Sequence, residues 1–205
     1  MNPLSLVFYF IIIVPSSIIH EYMHGWVANQ LGDPTAKYAG RLSLDPRVHI
    51  DLWGTIIMPI VLFVFSGGSF MFAYAKPVPF NPYNLRHGKW GPAIVGAAGP
   101  LANLAVAAVF GSFIRFFPYA AVSSMLAIIV YANVMLAIFN LVPIPPLDGS
   151  KILYALLPPS MDNVRAFLDR YGFFILLFFI FYAFQVISPI IQWVFTLLVG
   201  GRVMF

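Results

Sequence analysis

The sequence predicts an all-α integral membrane protein of about four spanning helices plus a re-entrant segment, and three observations predict it. First, charge is scarce. Only 9% of the 205 residues are charged and 61% are hydrophobic, against roughly 25% and 45–50% in soluble domains. A water-facing surface needs ionised groups, and a lipid-facing one cannot tolerate them. Second, the apolar residues gather into stretches of the length that crosses a bilayer, about 20 residues. Third, helix breakers and charges fall between those stretches: Gly32-Asp33-Pro34, Asp45-Pro46, Lys76-Pro77-Val78-Pro79, Asn81-Pro82, Pro143 to Gly149 and Pro158-Pro159.

Taken in order, the first stretch runs from Leu4 to Leu31. No Lys or Arg precedes it and no small-x-small cleavage pattern follows, so it reads as a retained membrane helix rather than a signal peptide. The second, Leu52 to Ala75, is irregular. Its first limb, Leu52 to Phe65, contains Pro59 and gives way to Ser66-Gly67-Gly68-Ser69. About 14 residues at 1.5 Å each cover roughly 21 Å, short of the approximately 30 Å hydrocarbon core. A re-entrant segment, with a possible short β-hairpin, fits that length. Non-helical backbone is tolerated at membrane depth where it is buried in protein or lines a wet cavity. The third stretch, Gly91 to Phe117, and the fourth, Tyr119 to Val142, each suffice for one pass. The last, Gly172 to Val199, carries Ser188-Pro189, which either kinks one helix or divides two. The expectation is a single membrane-embedded domain over residues 1–205, with a core at roughly 4–150 and a C-terminal membrane segment at roughly 171–199.

The net charge of +4 is no sign of a nucleic-acid partner, because the 11 Lys and Arg form no run. There is no Cys. Thiolate ligands are therefore excluded, and any metal must be held by His and carboxylates.

Residues His20-Glu21-Tyr22-Met23-His24 match H-E-x-x-H. On a helix, positions i and i+4 share one face, so two imidazoles can ligate one zinc ion. The adjacent Glu can take a proton from a water on that ion. Ionisable groups are costly inside a membrane helix, and three of them here fall within about one turn after a long apolar run. The bland alternative ends the helix near Ile19 and leaves these residues among lipid headgroups; the apolar pattern that continues through Gly25, Trp26, Val27, Ala28 and Leu31 weakens it. Catalytic zinc usually takes three protein ligands. His49 and His87 lie in charged, Pro-containing linkers and are poor candidates. Asp148 is a better one, held in a turn by Pro143, Pro145, Pro146 and Gly149; its alternative role is to cap a helix starting near Ser150. Ser16, one turn before His20, either donates to a ligand or satisfies its own helix backbone, the latter being favoured.

The pairing of His20-Glu21-x-x-His24 with Asn140-x-x-Pro143 and Pro146-Leu147-Asp148-Gly149 resembles the site-2 protease family of intramembrane zinc metalloproteases. Gly99-Pro100-Leu101-Ala102-Asn103, Ala75-Lys76-Pro77-Val78-Pro79 and Asn81-Pro82 are similar to further family segments, so the resemblance spans residues 20 to 149. It implies that His20, His24 and Asp148 hold one Zn2+ per chain, that Glu21 is the general base, and that Asn140 helps stabilise the scissile carbonyl. Asn103 is either a packing or a hydrogen-bonding residue, packing being the favoured reading. The implied substrates are transmembrane proteins or peptides within the lipid bilayer, and the chain resembles the minimal form without PDZ or regulatory domains.

That ligand set makes a demand on topology. His20 lies about 24 Å along the first helix, and Asp148 follows the fourth stretch. Both must meet one ion, so the first and fourth stretches run in the same direction and the second must enter and return. One face then collects Lys37, Arg41, Arg47, Lys76, Arg86, Lys89, Lys151, Arg165 and Arg170, and the other Arg115 and Arg202. Nine against two obeys the positive-inside rule. The expectation is a multi-pass cell-membrane protein with its active site toward the cytoplasmic face and its N-terminus outside. The re-entrant segment, Leu52 to Pro79, could offer a strand edge to an unwound substrate. The rival readings are a metal-binding transporter and a catalytically inactive membrane scaffold.

Overall fold

A computed structural model describes residues 3–65, 67, 75–117 and 122–201. The described residues are largely helical, and no strand occurs among them. Helix α1 runs over Pro3–Gln30, with Pro15 inside it, and a short α2, Thr35–Tyr38, follows. The first limb of the irregular segment is helical. It opens as a wide turn at Leu52–Ile57, where the Asp51 carboxylate accepts from the Gly54 N–H, and continues as α3, Met58–Phe65. Residues 66 and 68–74, where the return limb and a β-hairpin were expected, lie outside the described residues.

Helix α4, Trp90–Phe116, and α5, Ser123–Asn140, correspond to the third and fourth apolar stretches. Then come α6, Gly149–Leu156, α7, Asp162–Phe178, and α8, Ser188–Val199. Among the described residues, three helical runs are long and apolar enough to cross a membrane: α4, α5 and the run Pro159–Val186 that contains α7. The last apolar stretch departs from expectation in two ways. Its helix begins at Asp162, ten residues before Gly172, because the segment Asp162 to Tyr171 is helical without being apolar. Ser188-Pro189 divides rather than kinks: the chain turns at Phe184–Val186 and α8 starts with proline in its first turn, where a missing N–H costs nothing.

Packing centres on α4, which lies chiefly against α5 and α1, then α6 and α8. Ala107 and Ile114 meet Ala127, Val130 and Val134, and Ile191, Phe195 and Val199 close the cluster. Small residues let the backbones approach, as they do in membrane bundles; a Cβ on Gly111 would stand 3.0 Å from Leu198 Cβ. The outer surface keeps Leu101, Phe113, Phe173, Phe178 and Trp193 exposed. A water-soluble monomer rarely exposes so continuous an apolar face, whereas lipid solvates it without cost. The protein is therefore a membrane protein.

Candidate metal centre

Helix α1 carries His20, Glu21 and His24 within about one turn, with both histidines buried. Their rings stand 4.6 Å apart and nearly perpendicular. Ligand atoms of all three residues lie within 4.8 Å of one another. Asp148 arrives from the loop between α5 and α6. It occupies the N-cap position of α6 yet makes no capping bond, so its side chain is directed elsewhere. Its Oδ2 lies 3.0 Å from His20 Nε2 and 3.0 Å from His24 Nε2. Local geometry enforces this. The Leu147 and Ser150 N–H groups donate to Ile144 O and Leu147 O, and any Cβ on Gly149 would collide with the Leu141 carbonyl.

The donor set fits a zinc ion. His24 Nδ1 lies 2.7 Å from Val95 O, and His20 Nδ1 lies 2.6 Å from Asn103 Oδ1. A carbonyl oxygen only accepts, so each Nδ1 carries a proton, and in the neutral ring each Nε2 presents a lone pair. Two lone pairs and a carboxylate oxygen converging at 3.0 Å repel one another unless a cation lies between them. Protonating both rings would meet the two contacts only by setting two imidazolium charges side by side in a buried site, whereas a divalent ion serves all three groups, and zinc favours this N/O set. Space is kept for it: a Cβ on Gly99 would sit 2.6 Å from Nε2 of both histidines.

Two further contacts shape the site. Lys151 Nζ donates to Asp148 Oδ1 at 2.7 Å, one turn into α6. The Val78 N–H donates to Glu21 Oε2 at 2.8 Å, from a strap at 75–80 that is neither helix nor strand. That strap is tied along its length. The Lys76 N–H bonds His49 O, Arg41 Nη2 donates to Lys76 O, and the Asn81 N–H bonds Asp33 Oδ2.

The remaining sequence candidates fall out as follows. Asn140, at the end of α5, donates Nδ2 to Leu136 O of its own helix at 2.9 Å. Ser16 Oγ donates to Ile12 O, satisfying its own helix as expected. Buried His49 pairs through Nε2 with Ser43 O, and His87 is exposed at φ 71°; neither joins the cluster. The packing reading of Asn103 is corrected, since its side chain bonds His20 directly. Sequence reasoning also missed Asn133, Lys151 and the Val78 N–H. Asn133 carried a usable signal, because an amide in the middle of an apolar helix is costly unless it is bonded.

A model of peptidase family M50 matches residues 117–179. "Putative zinc metalloprotease YwhC" of Bacillus subtilis is 35% identical over 187 residues, covering 85% of this chain and 81% of the relative. Rip2 of Mycolicibacterium smegmatis, named with the same activity, is 29% identical over 186 residues, covering 85% and 68%. MJ0611 of Methanocaldococcus jannaschii, also so named, is 32% identical over 140 residues, covering 66% and 63%. No solved structure matches the chain.

Proposed function

The chain belongs to peptidase family M50, the site-2 protease family, and is a zinc metalloprotease; from that premise we propose that it cuts peptide bonds in or near transmembrane segments of other membrane proteins. Regulated proteolysis of such proteins and clearance of membrane peptides are both served by that reaction. The observation that carries this reading is the convergence of His20 Nε2, His24 Nε2 and Asp148 Oδ2, with Glu21 beside them, among helices that are otherwise apolar.

In this reading His20, His24 and Asp148 hold the zinc. When bound, zinc supplies Lewis-acid polarisation of a carbonyl and a water of lowered pKa, about 7. Glu21 is the general base. Its Oε2 is engaged by the Val78 N–H, so Oε1 is the oxygen that takes a proton from the attacking water and returns it to the leaving amine. Asn140 has a second amide N–H besides the one given to Leu136 O, and that donor is offered to the scissile carbonyl oxygen. A substrate helix hides its carbonyls in its own hydrogen bonds and must unwind locally before this can happen. The uneven spread of Lys and Arg along the sequence supports a site opening toward the cytoplasmic face.

The test is cleavage of a model transmembrane peptide in proteoliposomes by the wild type, by the wild type with chelator, and by Glu21→Gln. Chelation is expected to abolish cleavage. Glu21→Gln is expected to retain zinc and lose cleavage; cleavage at the wild-type rate would remove Glu21 from its role. An enzyme that cuts only soluble peptides would overturn the membrane-substrate assignment.

A further inference from the structure

Three buried polar side chains beyond the ligands form one continuous hydrogen-bonded relay that ends on His20. His20 Nδ1 lies 2.6 Å from Asn103 Oδ1. Asn103 Nδ2 donates to Asn133 Oδ1 at 2.9 Å and to the Ser16 carbonyl at 3.1 Å. Asn133 Nδ2 donates to Ser16 Oγ at 3.0 Å and to Ile129 O at 2.9 Å. Ser16 Oγ donates to Ile12 O at 2.9 Å. Asn103 and Asn133 have no exposure at all, so water cannot substitute for any partner.

The direction of every link is decided by main-chain carbonyls, which only accept. Ile129 O requires the NH2 of Asn133 on its side, which turns Oδ1 of Asn133 toward Asn103. Ser16 O and that Oδ1 both require the NH2 of Asn103, which leaves Oδ1 of Asn103 facing the imidazole. A flipped Asn103 would set its oxygen against two other oxygens. His20 can then only donate from Nδ1, and in the neutral imidazole Nε2 is left bare toward Asp148. The relay ties α1, α4 and α5 together at the depth of the site.

We propose that Asn103 is a positioning residue that fixes the tautomer and ring plane of His20 for metal binding, with Asn133 as the lock that orients Asn103. The inference rests on His20 being a zinc ligand. It makes the α4 and α5 amides part of the metal site although neither touches the ion. Outer partners of ligating histidines typically change metal affinity by roughly 10–100-fold.

The experiment measures zinc affinity of the full chain in detergent by competition with a chelator of known affinity, together with the thermal stability of the metal-free protein. Asn103→Leu is expected to lower zinc affinity roughly 10–100-fold. Asn103→Asp keeps an oxygen facing His20 Nδ1 but loses both donors. It is expected to bind zinc far better than Asn103→Leu while being less stable without metal. A merely structural role predicts the reverse, with zinc affinity following stability in both variants. Asn133→Leu is expected to weaken zinc binding by a smaller factor, and in the double variant it should add nothing to Asn103→Leu. If Asn103→Leu does not fold, the Asn133→Leu arm decides alone: unchanged zinc affinity there overturns the relay. His20→Ala is the reference. If it loses zinc while Asn103→Leu keeps wild-type affinity, the relay fails and the metal centre stands. If His20→Ala itself keeps zinc, the centre is misassigned.

Discussion

Val78 donates its N–H to Glu21 Oε2 across 2.8 Å, and it is the sole backbone donor in Pro77-Val78-Pro79. The prolines on either side have no N–H, so this stretch has one donor to give and gives it to the proposed base. Val78→Pro is expected to lower the cleavage rate about 10-fold or more, as a hydrogen bond to a charged group is worth about 1.5–3 kcal/mol. Val78→Ala keeps the donor and should change the rate far less. Cleavage assays on both, with zinc content checked as equal, compare the two; equal losses would point to lost packing instead.

Gly99→Ala is expected to abolish stoichiometric zinc binding. The added Cβ would sit 2.6 Å from Nε2 of each histidine, in the space an ion would need, and the neighbours in contact are the proposed ligands themselves. Metal content of the purified variant, measured beside an Asp148→Ala control, checks this. A zinc-replete Gly99→Ala protein would mean the ion sits elsewhere.

Acid should weaken the anchor at the end of α1. Burial pushes the Asp33 carboxyl up, but hydrogen bonds from the Thr35 hydroxyl, Asn84 amide and Asn81 and Thr35 N–H groups outweigh it and hold the carboxyl below its usual 3.8. A carboxylate with a lowered folded-state pKa stabilises the fold above its unfolded pKa, and that contribution fades as pH falls through the folded value. Asp33→Asn should therefore be less stable than wild type at neutral pH, by about 1–3 kcal/mol, with the gap shrinking below about pH 4. Detergent-phase unfolding of both proteins across pH reads it; a gap independent of pH would exclude the carboxylate as its source.

Gly172 of α7 lies against the loop that delivers Asp148. A Cβ there would stand 2.7 Å from Pro145 Cβ and 2.8 Å from Pro145 O. Gly172→Ala is expected to cost about 1–3 kcal/mol by overpacking and to lower zinc affinity by shifting that loop. Thermal unfolding with and without zinc separates the two effects.

Much of the site was legible in the sequence because its chemistry is local. His20, Glu21 and His24 share one turn, and Asp148 sits in a turn that three prolines and a glycine define. The membrane helices were legible because lipid imposes length and apolarity together; α4 and α5 follow directly. What escaped was set by tertiary contact. Asn103 looked like packing because its partners, Ser16, His20 and Asn133, come from two other helices. Val78 carried no side-chain signal, since its contribution is a main-chain N–H. The start of α7 escaped because its first turns are polar, and an apolar window cannot find them. At Pro77-Val78-Pro79 the suggested strand edge has no donor to spare, because its one N–H is given to Glu21 and the prolines have none; residues 66 and 68–74 of that segment lie outside the described residues.

The bond from Lys151 to Asp148 Oδ1 makes the two oxygens of that carboxylate unequal. With Oδ1 shared with an ammonium group, Oδ2, which faces both imidazoles, would be the principal donor of Asp148 in the proposed centre. Two imidazoles and that oxygen would make three protein ligands, the number usual for a catalytic rather than a structural zinc site. Lys151 would thereby favour an open, reactive centre over a closed, structural one without itself being a ligand.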